Sequence, residues 1–202
     1  MIITITLFVL IALAVIGFTT RSNGTFKDVA GETNTAVIVK SFLDKMIPHH
    51  EEAITSSLKV MNDKDVTESQ VRIFAANVVD NQTFEIEKMK TIYMEYLGAE
   101  YAPTIMLDAG MNHENMASKT ADLKGDELAK SYKDEMIAHH EGAVEMAKDY
   151  MKLIDKVRKE SAKTEDGLTV SNNHPAIDLT YDLAQQIVDT QEKEIEQLKS
   201  WN

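Results

Sequence analysis

The chain has 202 residues, 44% of them hydrophobic and 27% charged, enough for one globular domain with its own core plus a short N-terminal segment. Acidic residues outnumber basic ones by 33 to 21, for a net charge of -12, and no Lys/Arg run or basic stripe occurs, which argues against a nucleic-acid partner. Cysteine is absent, which removes disulfides, thiolate nucleophiles and Cys-ligated zinc or iron–sulfur sites, so a soft metal must be held by Met or His.

An unbroken run of apolar or small residues from Ile2 to Phe18 opens the chain. It is near the lower length limit for a membrane-spanning helix and longer than most signal-peptide cores, so residues 1–20 are read as a transmembrane anchor or signal segment, with the anchor favoured. The first basic residues, Arg21 and Lys27, follow the run, a distribution that does not itself favour export of what comes after it. Residues 21–35, rich in Gly, Thr, Asn and Ser, read as a flexible tether.

Helical spacing of Val39, Phe42, Leu43, Met46, Ile47, His50, Ala53, Ile54 and Leu58 predicts a first helix over about 36–61. Asn62 to Asp65 breaks it. Thr67, with Glu68 and Gln70, offers a capped start for a second helix that runs to about Leu97 and stops at Gly98. Its stripe is Val71, Phe74, Val78, Gln82, Ile86, Met89 and Tyr93. The stretch from Gly98 to Gly125 is a connector with at most one short helix, and its Met111, His113 and Met116 form a cluster compact enough to hold a soft ion as an auxiliary site. A third long helix is expected over about 126–157, then a polar loop over 158–173, then a fourth helix opened by Pro175 and reaching the C-terminus. No segment shows sustained strand alternation, so the expected fold class is all-α, a four-helix bundle.

The most informative pattern is a repeat. Met46-Ile-Pro-His49-His50-Glu51-Glu52-Ala53 returns as Met136-Ile-Ala-His139-His140-Glu141-Gly142-Ala143, and the segment from Val79 to Lys90 returns from Val188 to Lys199. The domain, 36–202, therefore reads as two copies of one helical hairpin, about 36–97 and 126–202, whose apolar stripes close a core only against one another. His50 and His140 fall in the middle of their stripes and His49 at the margin; His49 and His139 can equally be solvent-edge residues.

Met46 and Met136 stand one turn before His50 and His140, so a thioether and an imidazole share one face in each half, and Met146 extends the sulfur. Thioether with imidazole is a ligand set suited to copper. Gln82 and Glu85, repeated as Gln191 and Glu194, are placed to accept the second ring N–H; the two glutamates are the candidates for fixing the tautomer. The competing reading is a buried His/Glu hydrogen-bond network with no metal, in which methionines at helical spacing are core filler. A di-iron carboxylate site is not supported, because Met46, Ile47, Met136 and Ile137 occupy the places three residues before the histidines where glutamates are needed. No zinc-protease pattern, phosphate loop or nucleophile elbow occurs, so no catalytic residue is expected.

These motifs resemble the domain of unknown function 305 family, whose pattern is Met-Ile-x-His-His followed by Ala and Met-Ala, then Gln-x-x-Glu-Ile-x-x-Met, given twice. The segment from Met136 to Ala147 matches it closely, as do Gln82, Glu85, Ile86 and Met89. The resemblance implies a ferritin-like bundle, membrane-anchored or exported with its domain outside the cytoplasm, and copper binding or copper tolerance as buffer or carrier; a ferritin-like oxidoreductase is a weaker alternative. Ser56 stands where Met146 has sulfur, and Leu198 where Met89 has it, so the two halves are not equivalent in donors.

Overall fold

In a computed structural model of the protein the described residues are 30–102, 116–161 and 175–201, with side chains for 35–102, 116–160 and 175–201. Five helices occur among them: α1 (Ala30–Asn62), α2 (Ser69–Tyr96), α3 (Met116–Thr120), α4 (Gly125–Ser161) and α5 (Pro175–Lys199). The apolar run from Ile2 to Phe18 lies outside the described residues, and no helix among them is long and apolar enough to cross a membrane.

Helix α1 begins at Ala30, inside the segment read as tether. Once a helix is nucleated by its buried stripe, each further turn costs little, and a lone Gly31 subtracts only about 1 kcal/mol. Pro48 sits in its interior and cannot donate to the Asp44 carbonyl one turn earlier. The helix continues because Leu43, Met46 and Ile47 before the proline and Ala53 after it are fully buried.

Thr67 does not cap α2. Its backbone N–H and hydroxyl donate to Asp126 Oδ1 at 3.0 and 2.9 Å, leaving Glu68 at the N-cap without a side-chain cap bond. A carboxylate from the start of α4 thus takes the groups that local sequence assigned to the helix end. Asp63 receives the N–H of Asp65 at 2.8 Å and of Gly125 at 3.1 Å, so the α1–α2 turn is tied to α4 at two points. Gly98 and Gly125 both have positive φ, 65° and 56°.

Helix α1 packs on α2, α4 on α5, α1 on α4 and α2 on α5, which closes a four-helix bundle. The short α3 lies against α1 and α4, where Lys59 of α1 donates to the carbonyls of Thr120 and Ala121.

The core divides into two apolar clusters. One holds Val39 to Ile47 of α1, Ile86 to Tyr93 of α2, Ala143 to Ile154 of α4 and most of the α5 stripe. The other holds Ala53 and Val60, Val71 to Val78, Met116, Leu128 to Met136 and Leu198. On α1, α2 and α4 the residues between the two clusters are polar: His49 and His50, Gln82 and Glu85, His139 and His140. Helix α5 adds Gln191 and Glu194 just before Leu198. A polar layer therefore crosses the middle of the bundle.

Candidate functional site

His50 and His140 are fully buried, as their stripe positions require. His50 Nε2 lies 2.7 Å from Glu85 Oε2 on α2. A carboxylate accepts only, so this bond puts a proton on Nε2, and in the neutral tautomer Nδ1 is then the lone-pair nitrogen. That Nδ1 has no hydrogen-bond partner among the described residues. His140 Nε2 stands 2.9 Å from Glu194 Oε2 on α5, close enough for an ion pair but without N–H···O alignment. The second oxygen of Glu194 accepts from Asn81 Nδ2 of α2 at 3.4 Å.

His49 and His139 are not solvent-edge residues. The side chain of His139 is 7% exposed and His49 is buried. Their rings face one another across the α1–α4 seam with centroids 3.7 Å apart. The reason is the helix period: successive residues point about 100° apart, so one histidine of each pair turns to the partner helix of its own hairpin and the other to the opposite hairpin. Within each pair the centroids are 6.3 and 6.2 Å apart. The four rings thus make a row through the bundle, from Glu85 through His50, His49, His139 and His140 to Glu194.

Gln82 and Gln191 are buried in the same layer, and none of their amide atoms has a hydrogen-bond partner among the described residues. Each such group costs about 1–3 kcal/mol, so the layer holds donor atoms that packing alone does not repay. Met46 and Met136 are fully buried and belong to different clusters, one on each side of the row. Met146 is half-buried against the first cluster. Of the connector residues, Met111 and His113 lie outside the described residues. Met116 is buried in the second cluster, and its N–H donates to Glu52 Oε1 at 2.6 Å.

Glu52 escaped the sequence reading. Its other oxygen lies 3.9 Å from His139 Nε2. The matching residue of α4 is Gly142, where a Cβ would stand 3.6 Å from His49 Nε2. A carboxylate thus faces one ring where the other half has only backbone. Comparing the two repeats at this position was the signal that could have found it.

Among the described residues no three of His, Asp and Glu gather as a cage for a metal ion. The donor types nevertheless suit a soft ion: four imidazoles share one layer of the core, and the thioethers of Met46 and Met136 lie in the clusters on either side of it. Phe74 packs beside His140 at 6.4 Å and edge-on to Trp201 at 5.7 Å, which puts the protein's one tryptophan within two ring contacts of the row.

An all-α bundle with a buried row of paired histidines defines a class of protein. The chain belongs to the DUF305 family, described as a domain of unknown function, which it matches over residues 26–93 and 95–165. It is similar to CopM in the Cu(II)-bound form, at 25% identity and TM-score 0.58 over 81% of this chain and 94% of that one. The Cu(I)-bound form of CopM gives 24% identity and TM-score 0.57 over 81% and 94%. A DUF305 fragment from Deinococcus radiodurans gives 21% identity and TM-score 0.57 over 81% and 93%. No protein of curated function matches the sequence at a significant level.

Proposed function

We propose that this protein binds copper through His49, His50, His139 and His140, with Met46, Met136 and Met146 as thioether donors, and acts as a buffer, carrier or tolerance factor and not as a catalyst. The observation that carries the proposal is the row of four histidine rings in the bundle core. Similarity to CopM, which is known in copper-bound forms, supports it. Glu85 and Glu194 hold the outer rings, and Gln82 and Gln191 supply polar atoms beside them. Met111, His113 and Met116 form an auxiliary site in the connector. The apolar run from Ile2 to Phe18 anchors the domain to a membrane or exports it, and copper is met outside the cytoplasm.

A second reading has its own observation. The 2.7 Å His50–Glu85 hydrogen bond and the 2.9 Å His140–Glu194 contact pair each outer ring with a carboxylate, as a His/Glu network without an ion would. Titration of the full-length protein separates the two. Cu(I) is added against a competing chelator and Cu(II) is followed by quenching of Trp201, for the wild type and for the quadruple substitution of the four histidines by Ala. Stoichiometric binding that the variant loses while circular dichroism keeps its helical signal is the expected result. A well-folded wild type that binds neither ion leaves the network reading.

A further inference from the structure

His50 is fully enclosed, yet its partner Glu85 lines a cleft of about 280 Å³ between α2 and α5. Asn81, Phe84, Glu85 and Lys88 form one wall, the spacing of a single helix face, and Gln186 and Asp189 lie on the other. The cleft touches one end of the histidine row through Glu85 and stands one hydrogen bond from the other through Asn81. Glu85 meets His50 directly, and Asn81 donates to Glu194, the carboxylate beside His140.

Lys88 crosses this cleft. Its Nζ donates to Gln186 Oε1 at 2.9 Å and sits 4.5 Å from the centroid of the Phe84 ring. Phe84 is 63% exposed, so it is not held there by core packing.

We infer that the α2–α5 cleft is the route by which copper ions reach and leave the histidine row, with Glu85 and Asp189 drawing the cation in and Lys88 serving as a cationic strap that slows its passage. The inference rests on the copper reading above. A like charge standing in the cleft raises the barrier in both directions, and because Lys88 lies outside the row its effect falls mainly on the rates, with little change in affinity.

The test is stopped-flow binding of Cu(II) to the full-length protein, read by Trp201 fluorescence, with release followed after a jump in EDTA. Lys88→Ala should speed association and dissociation together by about threefold or more and leave Kd within about twofold. Asp189→Asn should slow association. Lys130→Ala removes the same charge from an exposed pair with Asp134 on α4, away from the cleft, and should leave both rates at the wild-type value. Wild-type rates in Lys88→Ala, or equal acceleration in Lys130→Ala, overturn the route while leaving copper binding intact. No Cu(II) uptake by the wild type overturns the copper reading and the route together.

Discussion

Glu52 reaches across the α1–α4 seam to His139, its Oε2 3.9 Å from the ring Nε2 while its Oε1 holds the backbone N–H of Met116 at 2.6 Å. Gly142, in the matching place on α4, offers His49 no such group. The two halves of the row therefore differ by one carboxylate.

An oxygen donor favours Cu(II), and thioethers favour Cu(I). Glu52→Gln keeps an acceptor for Met116 and removes the charge beside His139. Cu(II) affinity is expected to fall by about tenfold, the lower end for a group that tunes a metal ligand, with Cu(I) affinity changed much less. Parallel competition titrations of both ions check this, and equal losses would exclude Glu52 as an oxygen donor.

The outer pairs carry stability in the metal-free protein. Glu85→Ala leaves a fully buried imidazole without its acceptor and should cost about 1–3 kcal/mol in urea unfolding; Glu194→Ala should cost less, because the His140 contact lacks hydrogen-bond alignment. Replacing His50 and Glu85 together by leucines should recover most of the loss, since removing both partners leaves nothing unsatisfied. A double variant as unstable as Glu85→Ala would mean that shape, and not hydrogen bonding, fixes these positions.

The helices and the core-facing histidines were legible in the sequence because both follow from period: Met46, His50, Ala53 and Ser57 return every turn, and all four are buried. The partner glutamates were legible for the same reason. What His49 and His139 face was not, because a helix period says that two neighbours diverge but not which helix stands on either side. Glu52 reads locally as part of a solvated acidic face, and only the packing of α3 and α4 against α1 turns it toward the row. Thr67 failed as a cap because Asp126, distant in sequence, offers a better-placed acceptor.

The junction of α1, α2 and α4 makes a sharper demand on one glycine than on another. Gly98 and Gly125 both have left-handed φ, but a Cβ at Gly98 meets nothing within 4 Å, whereas one at Gly125 stands 3.0 Å from the Asp65 carbonyl oxygen. Gly98→Ala should cost about 1–2 kcal/mol, the conformational penalty alone. Gly125→Ala should cost clearly more, because the carbonyl it strikes is backbone and the Asp63 bond to the Gly125 N–H must shift with it. Thermal unfolding of the two variants ranks them; equal losses would mean that the turn relaxes freely.

The same junction sets an acid limit on stability. The N–H groups of Asp65 and then Gly125 hold the Asp63 carboxyl below the usual aspartate range, and the N–H and then the hydroxyl of Thr67 do the same to Asp126. With folded pKa values below the unfolded ones, the unfolded chain takes up protons first as pH falls. The stabilisation is therefore complete above about pH 4, the ordinary aspartate value, and is lost as pH drops through the lower folded values. Asp126 is solvent-exposed and Asp63 only half-buried, so the effect is modest and shrinks with salt. In Asp63→Asn and Asp126→Asn the melting temperature should be lower than wild type at pH 7, and the gap should narrow as pH falls below about 4. A gap that persists unchanged at pH 3 would show that the two side chains act there by shape and not by charge.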